Sequence, residues 1–426
     1  MLKKIVLDKE IIKEILSKGG ITFLFRMGTM ALSFLTMSFI TNFYGQANFG
    51  NYSLALTIIQ ITTMVFALGT PNAFVALNGN IDNHYESKGL LLRMYKIGFV
   101  ASLIPMLLFF FGCNFLPIFL FKKAELSDFF KIISISIPFM IIYEITFYYF
   151  IAQKKIITYG LFAFLPNVIF LLLLFIFKQY HFKPYFNFLA YVLSIILTTL
   201  FGVILIFKDK YIKAEAKISI QGILKKSTPM MVSGIFLFLL NWTDILMLGR
   251  LETEANIGIY NAAFKVGSLT LFFVVSMNVV IMPKTSELFN SNNIFEMKKV
   301  INRATQIVIL LTLPLALLII LFSKTILSFF GQGFEAGSAT LILITLGALF
   351  NAMTGNVDQI LNMTNHQTIV RNIFFGGFIL NFILNLYLIP HYGIEGAAIS
   401  SLISNIIVNI IFVFIIKKKL GFYTFI

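Results

Sequence analysis

Two side chains of opposite charge, Asp244 and Lys265, lie in the two apolar segments of residues 227–268. The pattern predicts two helices joined by a turn at about residues 250–255, with Asp244 in the first helix and Lys265 in the second. A charge within a membrane-length helix costs about 3 kcal/mol or more and is by default a functional hypothesis. Helix rise places the two side chains within roughly 5 Å of the same depth. Two interpretations follow: a structural ion pair, or a polar cavity in which Lys265 binds an anion.

Further polar residues recur at helical spacing in other apolar stretches. Each set predicts one polar face: Thr22, Arg26, Thr29 and Ser33; Asn261, Lys265 and Ser268; Asn351, Gly355, Asp358 and Asn362; Asn381 and Asn385. Membrane bundles use such side chains for hydrogen bonds between helices. We expect that structural role for the asparagines.

The buried charges suggest a different chemistry, because a cation such as Arg26 needs an anionic partner in the membrane. Glu144, Asp358 and Arg371 are expected in the same cytoplasmic half as Arg26, and Asp244 and Lys265 in the outer half. One cation in each half suits an anion that must cross. Phosphate or pyrophosphate is the obvious candidate, since the guanidinium of arginine binds its oxygens in pairs and lysine supplies a point charge.

Composition sets the class of protein. With 58% hydrophobic and 12% charged residues and a mean hydropathy of +0.90, the chain has too little polar surface for a soluble globule and is predicted to cross a membrane many times. Its one cysteine, Cys113, excludes an internal disulfide, and the four histidines show no metal-ligand spacing. We therefore expect no metal and no cofactor.

Apolar runs of about twenty residues or more predict twelve membrane-spanning helices. They lie near residues 20–43, 50–77, 94–117, 128–152, 157–178, 186–207, 226–249, 256–283, 303–323, 337–361, 368–389 and 394–416. Most of the 33 Lys and Arg residues fall in alternate connections, together with the lysine-rich start of the chain. The basic net charge of +15 is thus explained by topology rather than by nucleic-acid binding, and both termini are expected in the cytoplasm. The predicted fold class is an all-α membrane protein.

An internal repeat divides the predicted helices into two halves. Residues 47–52 (ANFGNY) match residues 255–260 (ANIGIY) at four of six positions. Six helices separate the copies, so the halves have the same orientation and form parallel repeats, a plan in which transporters bind substrate between two lobes. The expected organisation is an N-terminal lobe at 1–207, a cytoplasmic linker at 208–225 and a C-terminal lobe at 226–426.

Several short motifs make the sequence similar to a known family, the Wzx-type O-antigen and polysaccharide flippases of the multidrug/oligosaccharidyl-lipid/polysaccharide (MOP) transporter superfamily. They are residues 44–55 (YGQANFGNYSLA), 228–229 (TP), 244–249 (DILMLG), 257–265 (IGIYNAAFK) and 388–398 (LIPHYGIEGAA). The resemblance spans nearly the whole chain. The peptidoglycan-precursor branch of the superfamily usually has two further helices, which makes a lipid II substrate less expected.

The resemblance implies a flippase that moves undecaprenyl-pyrophosphate-linked O-antigen or capsule repeat units to the outer leaflet by alternating access. It also implies a bacterial cytoplasmic (inner) membrane location, contact with membrane lipid, and polysaccharide polymerase and chain-length proteins as partners. Arg26 and Lys265 look like the basic residues that hold the pyrophosphate. The expected substrate-binding residues are Arg26, Lys265, Asn261 and Arg371, and the expected ion-pair or coupling residues are Asp244, Glu144 and Asp358.

Two alternatives stay open. A cation-coupled multidrug antiporter of the same superfamily would favour acidic residues in its cavity, whereas the buried charges here are mixed. An O-antigen polymerase or ligase would need a long outer loop with catalytic residues, and no outer connection is long enough. We therefore expect a transporter and not an enzyme; the sugar, the coupling ion and the oligomeric state are beyond the sequence.

Overall fold

The computed structural model describes residues 9–78, 84–153, 155–179, 183, 185–208 and 218–425. Within these ranges the secondary structure is helical, with short 3-10 turns, and no strand is formed. The helices are α1 Lys9–Phe66, α2 Thr70–Asn78, α3 His84–Gly112, α4 Leu116–Phe121, α5 Ser127–Ala152, α6 Ile156–Gln179, α7 Phe186–Phe207, α8 Ile220–Leu251, α9 Glu254–Gly267, α10 Phe272–Asn290, α11 Ile294–Leu321, α12 Ser323–Ser328, α13 Ser338–Thr354, α14 Val357–Met363 and α15 Gln367–Leu420.

Ten helical segments of the described chain are long and apolar enough to cross a membrane, so the protein is a multi-pass membrane protein. Two of them, Leu24–Phe66 and Gln367–Leu420, have 43 and 54 residues. Since about twenty residues span a bilayer, each is long enough to cross twice. The backbone leaves the helical conformation inside each, at Gly45 (φ 80°) and at Gly393 (φ 55°), where only glycine avoids a steric penalty. Twelve crossings stay a prediction.

Several predicted continuous helices are interrupted. The predicted helix at 50–77 is broken between α1 and α2, where Leu68 and Gly69 have φ of 52° and 70°. The predicted helix at 337–361 is broken between α13 and α14 at Gly355, with φ of 69°. The single polar face predicted for Asn351, Gly355, Asp358 and Asn362 is therefore wrong, because a positive φ at Gly355 ends the helical periodicity that would align them.

The chain folds into two compact units with interleaved ranges. Unit 1 comprises 1–40 and 58–232, and unit 2 comprises 41–57 and 233–426. In unit 1, α3 packs along α5, where the Tyr95 and Thr146 hydroxyls lie 2.6 Å apart. Unit 2 has an apolar core that includes Met297, Leu361 and Phe412. The domain boundaries expected from the sequence stay a prediction. Residues 209–217 of the 208–225 linker and the first eight residues of the chain lie outside the described residues.

Candidate functional site

Asp244 is almost fully enclosed by protein, with 1% of its surface exposed. It lies near the end of α8 in unit 2. Its Oδ2 accepts a hydrogen bond from the Tyr260 hydroxyl at 2.6 Å and another from the Ser401 hydroxyl. Its Oδ1 accepts from Nδ2 of Asn385 at 2.6 Å and from Nδ2 of Asn381 at 3.2 Å. Four donors from neutral side chains thus surround one carboxylate.

Helix geometry explains how these donors meet. Asn381 and Asn385 lie one turn apart on the first arm of α15, so both amides project from the same face. The break at Gly393 turns the chain back, and Ser401 on the second arm comes within 3.4 Å of the Asn381 amide. Tyr260 lies on α9, one turn before Phe264, whose ring it stacks against. Three helices therefore contribute to the cluster.

Asn381 and Asn385 join α15 to α8 by hydrogen bonds, the structural role expected for the asparagines, whereas their acceptor, Asp244, was not predicted. The one-turn spacing of Asn381 and Asn385 was the available signal, but the sequence does not show which helix packs against that face. No sequence pattern marked Tyr260, the tyrosine of the repeat, or Ser401 as a hydrogen-bond donor to Asp244. Buried carboxylates are stable only when fully hydrogen bonded, so a search for donors matched to Asp244 would have suggested the asparagines.

Lys265 is not among the partners of Asp244. Its ammonium nitrogen lies 5.9 Å from the centre of the Phe49 ring, within the range of a weak cation–π contact. Among the described residues it has no carboxylate or hydrogen-bond partner. The two charges in residues 227–268 are therefore held separately, Asp244 by neutral donors and Lys265 beside an aromatic ring, and the ion-pair interpretation does not describe this structure.

The face around Lys265 carries unused hydrogen-bonding capacity. Asn261 lies one turn earlier on α9 with 2% of its surface exposed, and its Oδ1 has no partner among the described residues. Ser268 donates to the Lys265 carbonyl at 2.8 Å. In the adjoining 41–57 segment the buried Nδ2 of Asn48 and Oδ1 of Asn51 also lack partners in the described structure. These amide atoms can form hydrogen bonds with a polar ligand.

Arg26 lies on α1 in unit 1 with an exposed side chain. It forms no ion pair or hydrogen bond with any residue whose side chain is described. Thr29, one turn along, has a buried hydroxyl without a partner in the described chain. The side chain of Thr22 lies outside the described set, so the four-residue face predicted for α1 is described only in part.

The remaining charged candidates are dispersed over three helices. Glu144 is half-buried on α5 in unit 1, and no described residue donates a hydrogen bond to it. Asp358 on α14 accepts a hydrogen bond of 2.8 Å from Nε2 of Gln359. Arg371 lies in the first turns of α15, and its guanidinium donates to the Asn372 side-chain oxygen at 3.4 Å, its one hydrogen-bond partner in the part of the chain that the structure describes.

The described residues contain no group of three or more His, Cys, Asp or Glu side chains that could hold a metal ion. The arrangement offers instead a satisfied buried carboxylate and cations without carboxylate partners. Such cations can neutralise a bound anion. The anion is released when water enters the site, because a higher dielectric constant weakens the interaction between the charges.

Comparison with family models gives two matches. A model described as "Polysaccharide biosynthesis protein" matches residues 15–289, and the MatE model matches residues 229–387. Among curated proteins, the chain is 27% identical over 174 residues to "Probable low-salt glycan biosynthesis flippase Agl15" of Haloferax volcanii. It is 26% identical over 169 residues to "Probable flippase AglR" of the same organism. The matched segments cover 41% and 38% of this chain, and only 37% and 35% of the relatives' own length.

Solved structures match over more of the chain. The inward closed conformation of lipid II flippase MurJ superposes with a TM-score of 0.76 at 20% identity, covering 93% of this chain and 87% of that one. An inward-facing multidrug resistance MATE family transporter of the MOP superfamily superposes with a TM-score of 0.74 at 14% identity, covering 92% and 94%. At such identities the likeness shows the fold alone, a fold shared by flippases and antiporters.

Proposed function

The chain belongs to the polysaccharide biosynthesis protein family and has the fold of MOP superfamily transporters, and we propose that it is a lipid-linked glycan flippase. Its substrate is an undecaprenyl-pyrophosphate-linked O-antigen or capsule repeat unit, moved from the cytoplasmic to the outer leaflet by alternating access. The reaction makes and breaks no covalent bond. The protein acts as a transporter and not as an enzyme.

The observation that carries this proposal is the position of Lys265. Its ammonium group is half-buried in an apolar helix of unit 2 and has no carboxylate partner among the described residues. A lone cation in a bilayer is costly, and a transient anionic ligand offsets that cost. The pyrophosphate of a lipid-linked sugar is such a ligand, and it is multivalent, so it can engage a point charge and a guanidinium such as Arg26 in turn. Asn261, with its unpaired amide oxygen on the same face as Lys265, adds a contact for the substrate's hydroxyls.

Asp244 is proposed as the coupling residue. A carboxylate with four neutral donors and no cation among the described residues keeps a net charge that a sodium ion or a proton can neutralise. The Oδ1 atom of Asn385, buried in the same cluster without a partner in the described structure, supplies a further oxygen for a cation. Oxygen ligands are what hard cations prefer. Glu144 and Asp358 remain second candidates for coupling.

The membrane arrangement proposed with this function has twelve crossings in two parallel six-helix repeats and both termini in the cytoplasm. The location is the cytoplasmic membrane of a bacterium, and the partners are a polysaccharide polymerase and chain-length proteins. The two kinked segments, Leu24–Phe66 and Gln367–Leu420, each supply two crossings in this arrangement.

A cation-coupled multidrug antiporter is the second candidate, favoured by the MatE match over residues 229–387. Its substrates are cations, so it would lose transport when a carboxylate is removed and keep it when Lys265 is removed. The flippase requires Lys265. The two functions therefore predict opposite responses to the same variant.

Reconstitution tests the proposal directly. The purified protein is placed in liposomes that contain a fluorescent polyprenyl-pyrophosphate oligosaccharide, and a membrane-impermeant reagent reports the outer-leaflet fraction with time. We expect flipping that is lost in Lys265→Ala and kept in Lys265→Arg. Flipping at the rate of protein-free liposomes, with efflux of organic cations instead, would establish the antiporter.

A further inference from the structure

A groove of about 440 Å³ runs between the two arms of α15. This volume lies within the range of small-molecule sites. The arms form a hairpin about Gly393, because Phe374 contacts Phe412 with ring centres 5.4 Å apart and Gly377 lies against Val408. The groove walls include Asn372, Ile373, Gly376, Leu380, Ile407 and Ile411. All of its lining belongs to unit 2.

Gly376 keeps this groove open. A Cβ on the adjacent Gly377 would lie 2.5 Å from Val408, so that glycine is explained by the close approach of the arms. A Cβ on Gly376 would meet nothing within 4 Å. A helix glycine costs about 1 kcal/mol relative to alanine, and no described atom lies close enough to Gly376 to require glycine there. Its effect is to leave an apolar channel that a side chain would fill.

The dimensions of the groove match one leaflet of a bilayer. Its lining runs along the first arm from Ile369 to Leu380. At the rise of an α-helix this distance is about 16 Å, roughly half of the hydrocarbon thickness. Ile407 and Ile411 of the opposite wall are 38% and 40% exposed. The groove is therefore open along its side, where a membrane chain can enter.

Basic residues lie at the open end of the hairpin, where the arms of α15 begin and end, opposite the turn at Gly393. Arg371 lies about one turn before Phe374, next to the groove residue Asn372. Among the described residues, the Asn372 side-chain oxygen, at 3.4 Å, is the one hydrogen-bond partner of its guanidinium. Lys417, Lys418 and Lys419 are exposed on the last turn of the opposite arm. The groove lining on that arm ends at Ile411, so the lysines lie beyond it, and Arg371 is the cation next to the groove. An apolar channel beside this guanidinium is complementary to an anionic lipid whose phosphate lies at Arg371.

We propose that this groove binds the isoprenoid chain of the polyprenyl-phosphate carrier in the cytoplasmic leaflet, with Arg371 on its phosphate. The inference rests on the proposed flippase function, which supplies a lipid whose headgroup carries phosphate and whose tail stays in the bilayer. The groove holds the tail next to the transporter before the glycan enters, and it gives Arg371 a place in substrate loading.

Photolabelling in nanodiscs tests this assignment. The probe is a polyprenyl monophosphate with a benzophenone in its chain, and labelled peptides are located by mass spectrometry. We expect labels at residues 369–380 and 407–411. Gly376→Leu fills the groove and is expected to lower labelling about tenfold, since the displaced chain loses the burial of about two methylene groups. Arg371→Gln is expected to lower it by a similar factor through the phosphate.

A matched control places bulk on the lipid side of the same arm. Ile379 is 40% exposed and does not line the groove, so Ile379→Phe is expected to leave labelling unchanged. Ile411→Trp fills the groove from the other arm and repeats the test if Gly376→Leu is unstable. Unchanged labelling in both filling variants would overturn the proposal. So would equal labelling by a benzophenone phosphatidylglycerol, which would identify ordinary annular lipid.

The assay separates this inference from the proposed function. The probe carries no glycan and its labelling needs no transport. Labelling of the groove in a protein that does not flip glycolipid would refute the flippase and leave the groove assignment in place. Normal flipping by a protein with an unlabelled groove would refute the groove alone.

Discussion

Gly50 and Gly258, which occupy matching positions in the two copies of the six-residue repeat, pack directly against each other's helix backbone. A Cβ on Gly50 would lie 1.8 Å from the Glu254 carbonyl oxygen and 3.0 Å from the Gly258 nitrogen. A Cβ on Gly258 would lie 2.3 Å from the Gln46 carbonyl oxygen and 3.1 Å from the Gly50 nitrogen. The contact is thus reciprocal, and both glycines belong to unit 2. Small residues at such crossings let membrane helices approach closely.

The first prediction concerns this crossing. Gly50→Ala and Gly258→Ala each put a methyl group into backbone atoms, so the helices must separate and lose packing worth about 1–3 kcal/mol. We expect a lower melting temperature in detergent for both variants. Gly376→Ala is the control, because its methyl group meets nothing within 4 Å and improves helix propensity by up to about 1 kcal/mol. Equal stability of all three variants would show that the crossing is not tight.

The second prediction concerns the basic residues. Lys265→Ala and Arg26→Ala are expected to abolish surface polysaccharide in a complementation assay while the protein still inserts into the membrane. Lys265→Arg is expected to retain activity, because it keeps the charge that meets phosphate. Lys299→Ala is the control, since Lys299 lies on the exposed surface 3.8 Å from Glu296 and far from α9 in sequence. Normal polysaccharide in the two alanine variants would rule out a role in phosphate binding.

The third prediction concerns the separation of Asp244 and Lys265. The exchange Asp244→Lys with Lys265→Asp would restore function if the two formed an ion pair. Here Tyr260, Ser401, Asn381 and Asn385 all donate to the carboxylate, and an ammonium group in its place would leave these four donors without their acceptor. We expect the doubly exchanged protein to be inactive. We also expect it to be less stable in detergent than either single variant, Asp244→Lys or Lys265→Asp. Recovery of flipping would reinstate the ion pair.

The helical hairpin that carries Asp244 and Lys265 could be predicted, because its turn depends on residues that are neighbours in the sequence. The predicted turn at 250–255 is confirmed: α8 ends at Leu251 and α9 begins at Glu254, after Thr253, whose hydroxyl accepts a hydrogen bond from the Asn256 backbone amide at 3.3 Å. A threonine cap before an apolar run is a signal that sequence alone carries. The multi-pass helical class was likewise predictable from composition.

What could not be predicted depends on long-range packing. The sequence does not show which conformation a glycine inside an apolar run adopts. Gly355 has a positive φ and ends a helix, whereas Gly377 is an ordinary helix residue packed against another helix. The asparagines of α15 show their spacing but not their partner, because the fold alone brings Asn385 beside Asp244, which lies more than a hundred residues earlier. The sequence therefore identified Asp244 as unusual and could not say which groups satisfy it.

The last prediction concerns coupling through the Asp244 cluster. If a cation neutralises Asp244 during transport, Asp244→Asn removes the charge that binds it while keeping the shape of the side chain. Flipping in liposomes should then fall about tenfold or more, the factor expected from the loss of an interaction worth about 1.5–3 kcal/mol, and the residual rate should no longer respond to a sodium or proton gradient. Asn385→Leu removes the unpaired amide oxygen and is expected to raise the cation concentration needed for half-maximal flipping. Asn405→Leu, on the second arm of α15 but outside both the Asp244 cluster and the groove, serves as the control. A gradient response that persists in Asp244→Asn would move coupling to Glu144 or Asp358.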